Sequence, residues 1–248
     1  MISAFFHTAF YNPIYNALVA LVAFIPGGDV GIAVIVLTII IRVVLLPFSL
    51  STARTQRAMK FLEPRIKELK EKHKNNKEQE ALETLALYRE ARVNPFAGIL
   101  TVFIQIPVLL ALYWVFLYEP FSTLDTARLY FFTPIPHTVS LEFLGIVSVA
   151  SKSIFLAVLA GFTQFLQARL ALSGMTQPAA NEKSMQGDFQ KVMNMQLKYV
   201  FPLIIGTISY TTSSAIALYF ITTNIAGALQ EWHVRHRVHA EFGQVSGS

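Results

Sequence analysis

The sequence predicts an all-α integral membrane protein with five transmembrane helices. Of its 248 residues, 54% are hydrophobic and 14% charged, and the mean hydropathy is +0.49. Soluble domains carry about 25% charged residues. Apolar stretches recur along the chain near the roughly 20 residues needed to cross a bilayer. Lys and Arg gather between those stretches, so their distribution says more than the net charge of +5. Cysteine is absent, which excludes disulfides, thiolate catalysis, Cys-type metal sites and a lipidated cysteine.

The first element, residues 1–29, contains no Lys or Arg and lacks the basic start of a signal peptide. Its apolar part, Ile14 to Ile25, lies between Pro13 and Pro26 and is too short to span. It reads as an extracytoplasmic helix lying in the interface, with Phe5, Phe6, Tyr11 and Tyr15 as amphipathic anchors. The first span is residues 30–50. Residues 51–95 are rich in Lys, Arg and Glu. Leu62, Ile66 and Leu69 fall at helical spacing, as do Leu82, Leu85 and Leu87 or Tyr88 beyond the polar turn Lys74-Asn75-Asn76-Lys77. That pattern predicts an antiparallel helical hairpin with narrow apolar stripes, marginally packed and mobile.

The second span is residues 96–117. The loop 118–151 has Arg128 as its only basic residue and is rich in aromatics and proline, which places it on the membrane surface. The third span is 152–172, followed by a polar loop, 173–196. Tyr199 to Trp232 would be ~50 Å long as one helix, well beyond a ~30 Å hydrocarbon core. Thr211-Thr212-Ser213-Ser214 sits at its midpoint, so the segment reads as two short spans, 197–213 and 214–232, with local bilayer thinning expected. A basic tail, 233–248, follows. The flanking charges put the hairpin and the C-terminus in the cytoplasm and the N-terminus outside. That parity requires two crossings in the last segment.

Arg42 lies in the otherwise uncharged run GIAVIVLTIIIRVVLLPFSL. A guanidinium stays charged, with a pKa above ~12, and burying it in a span costs ~2.5 kcal/mol or more. Thr38, Arg42 and Ser49 fall near one helical face. The second span presents Gly98, Thr101 and Gln105, the third Gln164 and Gln167, and the last Tyr219, Thr222, Thr223 and Asn224. Together they suggest a polar interior pocket with one fixed positive charge. Each has a plainer explanation. Arg42 could snorkel, although Leu50 is ~12 Å away along the axis. The Gln and Thr residues could be interhelical glue worth under ~2 kcal/mol each. The basic hairpin could simply obey the positive-inside rule.

The absences narrow the function. Short of Glu231, at the border of the fifth span, no Asp, Glu or His lies in a span, whereas proton-coupled transport usually needs such a group in the membrane. No Ser–His pair, paired aspartates or metal site serves an intramembrane protease. No phosphate-binding glycine loop is present. Catalysis, nucleotide use and cofactors are therefore not expected.

Several motifs in order, LTIIIRVVLLPFSL, FLEPRIKELKEKH, LYREARVNPFAG, IQIPVLLALYWVF and ALYFITTN, resemble the YidC-type membrane protein insertases over roughly Val30 to Trp232. The resemblance implies a five-helix core around a hydrophilic groove, open to the cytoplasm and lipid and closed outside. It implies that Arg42 attracts acidic residues in the translocated segment of a client. Thr38 and Tyr219 then match groove positions that meet the passing client, and Gln105 a groove-side glutamine. Gln164, Gln167 and Thr223 complete the expected client-binding groove. The hairpin matches a mobile client-capture element, with Arg54, Arg57, Lys60, Arg65 and Lys67 as its basic face. The expected partners are nascent membrane-protein clients and the lipid bilayer, with the Sec translocon and ribosome as further candidates and no nucleic-acid readout. Relative to the longer Gram-negative form, the N-terminal anchor helix, the large periplasmic domain and a long basic tail are not expected, nor is strong autonomous ribosome binding. Two rivals remain: an anion-selective channel or transporter using Arg42 as its selectivity charge, and a scaffold that only assists helix packing.

Overall fold

The computed structural model of the chain describes residues 2–74, 76–91, 97–118, 121, 124–173 and 192–242. The helices are α1 (Ile2–Phe6), α2 (Asn12–Phe24), α3 (Val30–Val44), α4 (Leu46–Lys72), α5 (Lys77–Glu90), α6 (Ala97–Tyr118), α7 (Ile154–Ser173), α8 (Phe201–Thr211) and α9 (Ser214–Phe242). π-Helical turns at His7–Tyr11 and Gln196–Val200 lead into α2 and α8.

At the centre, every residue of α9 from Ala215 to Ile221 is buried. A helix apolar all round must be covered on all sides. α7, α8 and α3 pack directly on it, and α6 touches it more sparsely. α2 and α6 close the same core through Leu18, Val19, Val22, Val108, Leu112 and Val115. α2 therefore does more than lie in an interface. Tyr11 and Tyr15, expected as surface anchors, are buried in the core. Phe6 packs edge-on against Trp114 with ring centroids 4.9 Å apart, while Phe5 is exposed. The π-turn and Pro13 let one face of α2 pack inward, and burying those large side chains outweighs any preference for the headgroup region.

The predicted first span is broken. The helix bends by 60° between Val44 and Leu46. Pro47 lacks the N–H that would continue the ladder, and it sits in the first turn of α4, where no partner is needed. Arg42 consequently occupies the last turn of α3 rather than the interior of a 21-residue span. There a cation complements the helix dipole and the unpaired carbonyls. Among the described residues, Ile154–Leu172 is the one unbroken helix long and apolar enough to cross a bilayer, and Val30–Val44 with Leu46–Thr52 qualifies as a bent pair. Thr212 and Ser213 separate α8 from α9.

Asn76 N donates to His73 O at the hairpin's turn, and Asn76 caps α5 by accepting from Gln79 N at 3.1 Å. Its packing stripe differs from the predicted one. Leu62, Ile66 and Leu69 are half-buried, and Glu80 and Leu87 are buried, but Leu82 and Leu85 are exposed. Five residues separate Leu82 from Leu87, about 140° around the helix, so they cannot share a face.

One end of the bundle is closed by a polar weave, where the sequence suggested a surface loop. A two-stranded hairpin pairs Glu142–Phe143 with Val147–Ser148. Asp29 caps α3 through Ile32 N at 3.0 Å and accepts from Leu144 N at 2.8 Å. Ser140 N donates to Gly28 O, and Val30 N to Ser140 O. Gly28 has φ +66°, and a Cβ there would lie 2.0 Å from Thr138 O, so only glycine fits this approach. Ser214 N and Oγ both donate to Ser151 O, and Ala215 N donates to Val149 O. The α2–α3 turn, the 124–151 segment and the α8–α9 break thus form one hydrogen-bonded end.

Candidate functional site

Arg42 emerges at the opposite end of α3 from that weave. Ile39, Ile40, Val43 and Val44 face outward, while Val34, Leu37 and Thr38 face the core. Arg42 follows Thr38 by one turn on the same side. Its Nε is buried, and no hydrogen-bond acceptor or carboxylate pairs with it among the described residues. The polar group nearest to it in electrostatic reach is the neutral Tyr219 hydroxyl on α9. Tyr219 is 2% exposed. Its hydroxyl accepts a hydrogen bond from Gln105 Nε2 on α6. Thr223, one turn along, brings its buried hydroxyl alongside Tyr219 without closing a hydrogen bond of ordinary geometry. Arg42, Gln105, Tyr219 and Thr223 therefore converge from α3, α6 and α9.

The other expected groove residues do not join by hydrogen bonds. Thr38 is 1% exposed, and its hydroxyl donates to Val34 O at 2.7 Å within its own helix. Gln164 Nε2 donates to Gln167 Oε1 at 3.3 Å along α7. Gln167 lies against Gly227 of α9, where a Cβ would come within 2.8 Å of its amide nitrogen. The α7–α9 contact is also held by Asn224 Nδ2, which donates to Ala160 O and Thr163 Oγ1 at 3.3 and 3.2 Å. Gln167, Ala160 and Thr163 thus meet α9, whereas Gln164 bonds only along its own helix.

At the α4 end, Ser49 Oγ donates to Gln230 Oε1 on α9. This tie joins the base of the hairpin to the central helix. Arg65 is exposed and Lys67 half-buried on α4. Arg54, Arg57 and Lys60 belong to α4, but their side chains lie outside the described residues. On the hairpin, His73 Nε2 lies 3.0 Å from Glu83 Oε2. The Glu83 carboxyl is held below its usual value, chiefly by the Gln79 hydrogen bond and then by His73 and Lys72. Among the described residues no His, Asp and Glu cluster could hold a metal ion.

Sequence reading missed Asn16 and Asp29, which organise the closed end. Asn16 uses all four of its hydrogen-bonding positions. Nδ2 donates to Asn12 O and Arg128 O at 2.9 and 3.0 Å, and Oδ1 accepts from Tyr130 N and Thr133 Oγ1 at 2.7 and 2.8 Å. A polar amide inside an apolar run was the available signal for Asn16. An Asp directly before a helical apolar run was the signal for Asp29.

Fold and site define a helical membrane protein in which three helices bring polar side chains around a single arginine. A family model described as 60Kd inner membrane protein matches residues 21–241, and the chain belongs to that family. It is 29% identical over 229 residues to the membrane protein insertase YidC of Fusobacterium nucleatum subsp. nucleatum, covering 89% of this chain and 96% of that one. It is 28% identical over 224 residues to that of Oceanobacillus iheyensis, covering 88% and 79%. With YidC 1 of Listeria monocytogenes serotype 4b it shares 33% over 208 residues, 82% and 63% of the two chains. The protein's place is the bacterial cell membrane.

Proposed function

We infer that the chain is a membrane protein insertase, a non-enzymatic device that places newly made membrane proteins in the bilayer and helps them fold. Its relatives carry that name throughout. The observation that carries the mechanism is Arg42: a half-buried cation beside the Tyr219–Gln105 pair with no carboxylate partner among the described residues. An acidic residue arriving with a client supplies the missing charge, and attraction in a low-dielectric recess is stronger than in water.

The reading places five spans, residues 30–50, 96–117, 152–172, 197–213 and 214–232, with the N-terminus outside and the C-terminus in the cytoplasm. The bend at Leu45 makes α3 the membrane part of the first span, and α4 then leaves toward the cytoplasm. The woven end faces outward and closes the groove there. The Arg42 end opens inward, below the hairpin. Arg54, Arg57, Lys60, Arg65 and Lys67 of the hairpin meet the client first. The client's short polar tail enters beside Arg42 and passes Gln105, Tyr219 and Thr223. Gln164, Gln167 and Thr38 support that wall from behind. Release of the tail outward and burial of the client's apolar helix in lipid drive the step without nucleotide. The Sec translocon and ribosome are candidate partners at the cytoplasmic face.

Reconstitution of the pure protein in vesicles tests this reading, using a small single-span client with an acidic translocated tail. Arg42→Ala and Arg42→Glu should lower insertion, the second more strongly, and Arg42→Lys should retain part of it. Normal insertion by both Ala and Glu variants would overturn the mechanism. Selective anion flux without insertion would favour a channel.

A further inference from the structure

An apolar groove of about 790 Å³ runs along the outer side of the α7–α8 pair, away from Arg42 and its partners. Val158, Phe162, Leu203 and Tyr210 form its exposed walls. Its floor is low because α7 and α8 approach at two glycines: a Cβ on Gly161 would lie 3.0 Å from Pro202 O and one on Gly206 3.8 Å from Gly161 Cα. The wall is mostly apolar, and the hydroxyl in its middle is turned back onto its own helix. Thr207 Oγ1 donates to Leu203 O at 2.9 Å, and Thr211 Oγ1 to Thr207 O at 2.9 Å. Between the tyrosines at its two ends, Tyr199 and Tyr210, the groove offers little to a polar segment.

Charge and length identify what fills it. One end is marked by Tyr199, and Lys198 holds its ammonium 5.2 Å from that ring. Tyr and Lys side chains favour the headgroup level of a bilayer. From Tyr199 to Tyr210 the groove is ~16 Å long at 1.5 Å per residue. That is about half of a ~30 Å hydrocarbon core, the length of one leaflet's acyl chain and too short for a spanning helix.

We propose that the α7–α8 groove is a binding site for one anionic phospholipid, its acyl chain lying over Gly161 and Gly206 and its phosphate on Lys198. The lipid completes a wall that the two glycines leave thin. This inference requires only that the chain sits in a membrane, not the insertion mechanism.

The full-length protein in phosphatidylcholine vesicles, with trace phosphatidylglycerol carrying a photoreactive acyl chain, tests it. Labelling should concentrate on Phe162, Leu203 and the Gly206–Tyr210 turn. Lys198→Gln should lower labelling by the phosphatidylglycerol probe about fivefold, the effect of one cation near a headgroup, and leave that by a matching phosphatidylcholine probe unchanged. Lys198→Arg should retain the preference. Val158→Trp, an exposed position whose indole fills the groove, should suppress labelling by both probes while the circular dichroism spectrum stays unchanged. Labelling spread evenly over lipid-exposed positions such as Val43 and Leu229, or equal from both probes and indifferent to Lys198, would overturn the proposal.

Discussion

Arg42 shows what a single residue reveals by itself. A charge in an apolar run is visible without any structure. Its setting is not, because Gln105 and Tyr219 lie 114 residues apart in the chain and meet only through packing. Tyr219→Phe removes the acceptor of Gln105 Nε2. Interhelical hydrogen bonds in membranes average ~0.6 kcal/mol, so its stability in detergent, read by the SDS fraction needed to unfold it, should fall only slightly. Asn16→Leu should cost far more. It strands Tyr130 N and Thr133 Oγ1, each worth ~1–3 kcal/mol when left unsatisfied in a buried place. The same SDS titration should place Asn16→Leu well below Tyr219→Phe, and the reverse order would refute this account of the closed end.

At the scale of elements, helices and breaks were largely legible. The break at Pro47 is not resolved by hydrophobicity: the structure makes Pro47 part of the first turn of a new helix, which moves Arg42 to a helix end. The α5 stripe was misjudged because hydrophobic residues were grouped by closeness rather than by phase around the helix. The hairpin's closure should also respond to pH. Glu83 has a depressed folded pKa, so its contribution is complete above the ordinary glutamate range near 4.5 and is lost as pH falls through the lower folded value. A spin label on Leu82→Cys, in a chain with no native cysteine, should gain mobility as pH drops from 7 to 3. The Glu83→Gln background should flatten that response. At the α2–α3 turn, Gly28→Ala drives a Cβ into Thr138 O. It should speed backbone hydrogen exchange at Val30 and Ser140, whose N–H groups bridge the two segments.

For the whole molecule, the two ends differ in kind. One is woven by backbone hydrogen bonds among three distant segments, and the other ends in a hairpin joined to the core through Ser49 and Gln230. An insertase whose groove opens on one side needs such asymmetry. The proposed topology predicts that a membrane-impermeant maleimide added to intact cells labels Ile146→Cys, whereas Leu82→Cys reacts only after the membrane is opened. Labelling of both from outside would put them on one side and remove the proposed single crossing between them.

Composition and periodicity determined that the chain is a helical membrane protein, where its basic residues gather and that one arginine stands apart, because these properties are written locally in hydrophobicity and charge. Its resemblance to the insertases was legible in motifs for the same reason. Tertiary structure alone decided that α2 belongs to the core, that Gln105, Tyr219 and Thr223 stand with Arg42 while Gln164 pairs with Gln167 along α7, and that Asn16 and Asp29 organise the closed end. Those outcomes depend on which faces meet across a hundred or more residues, and no local pattern encodes that choice.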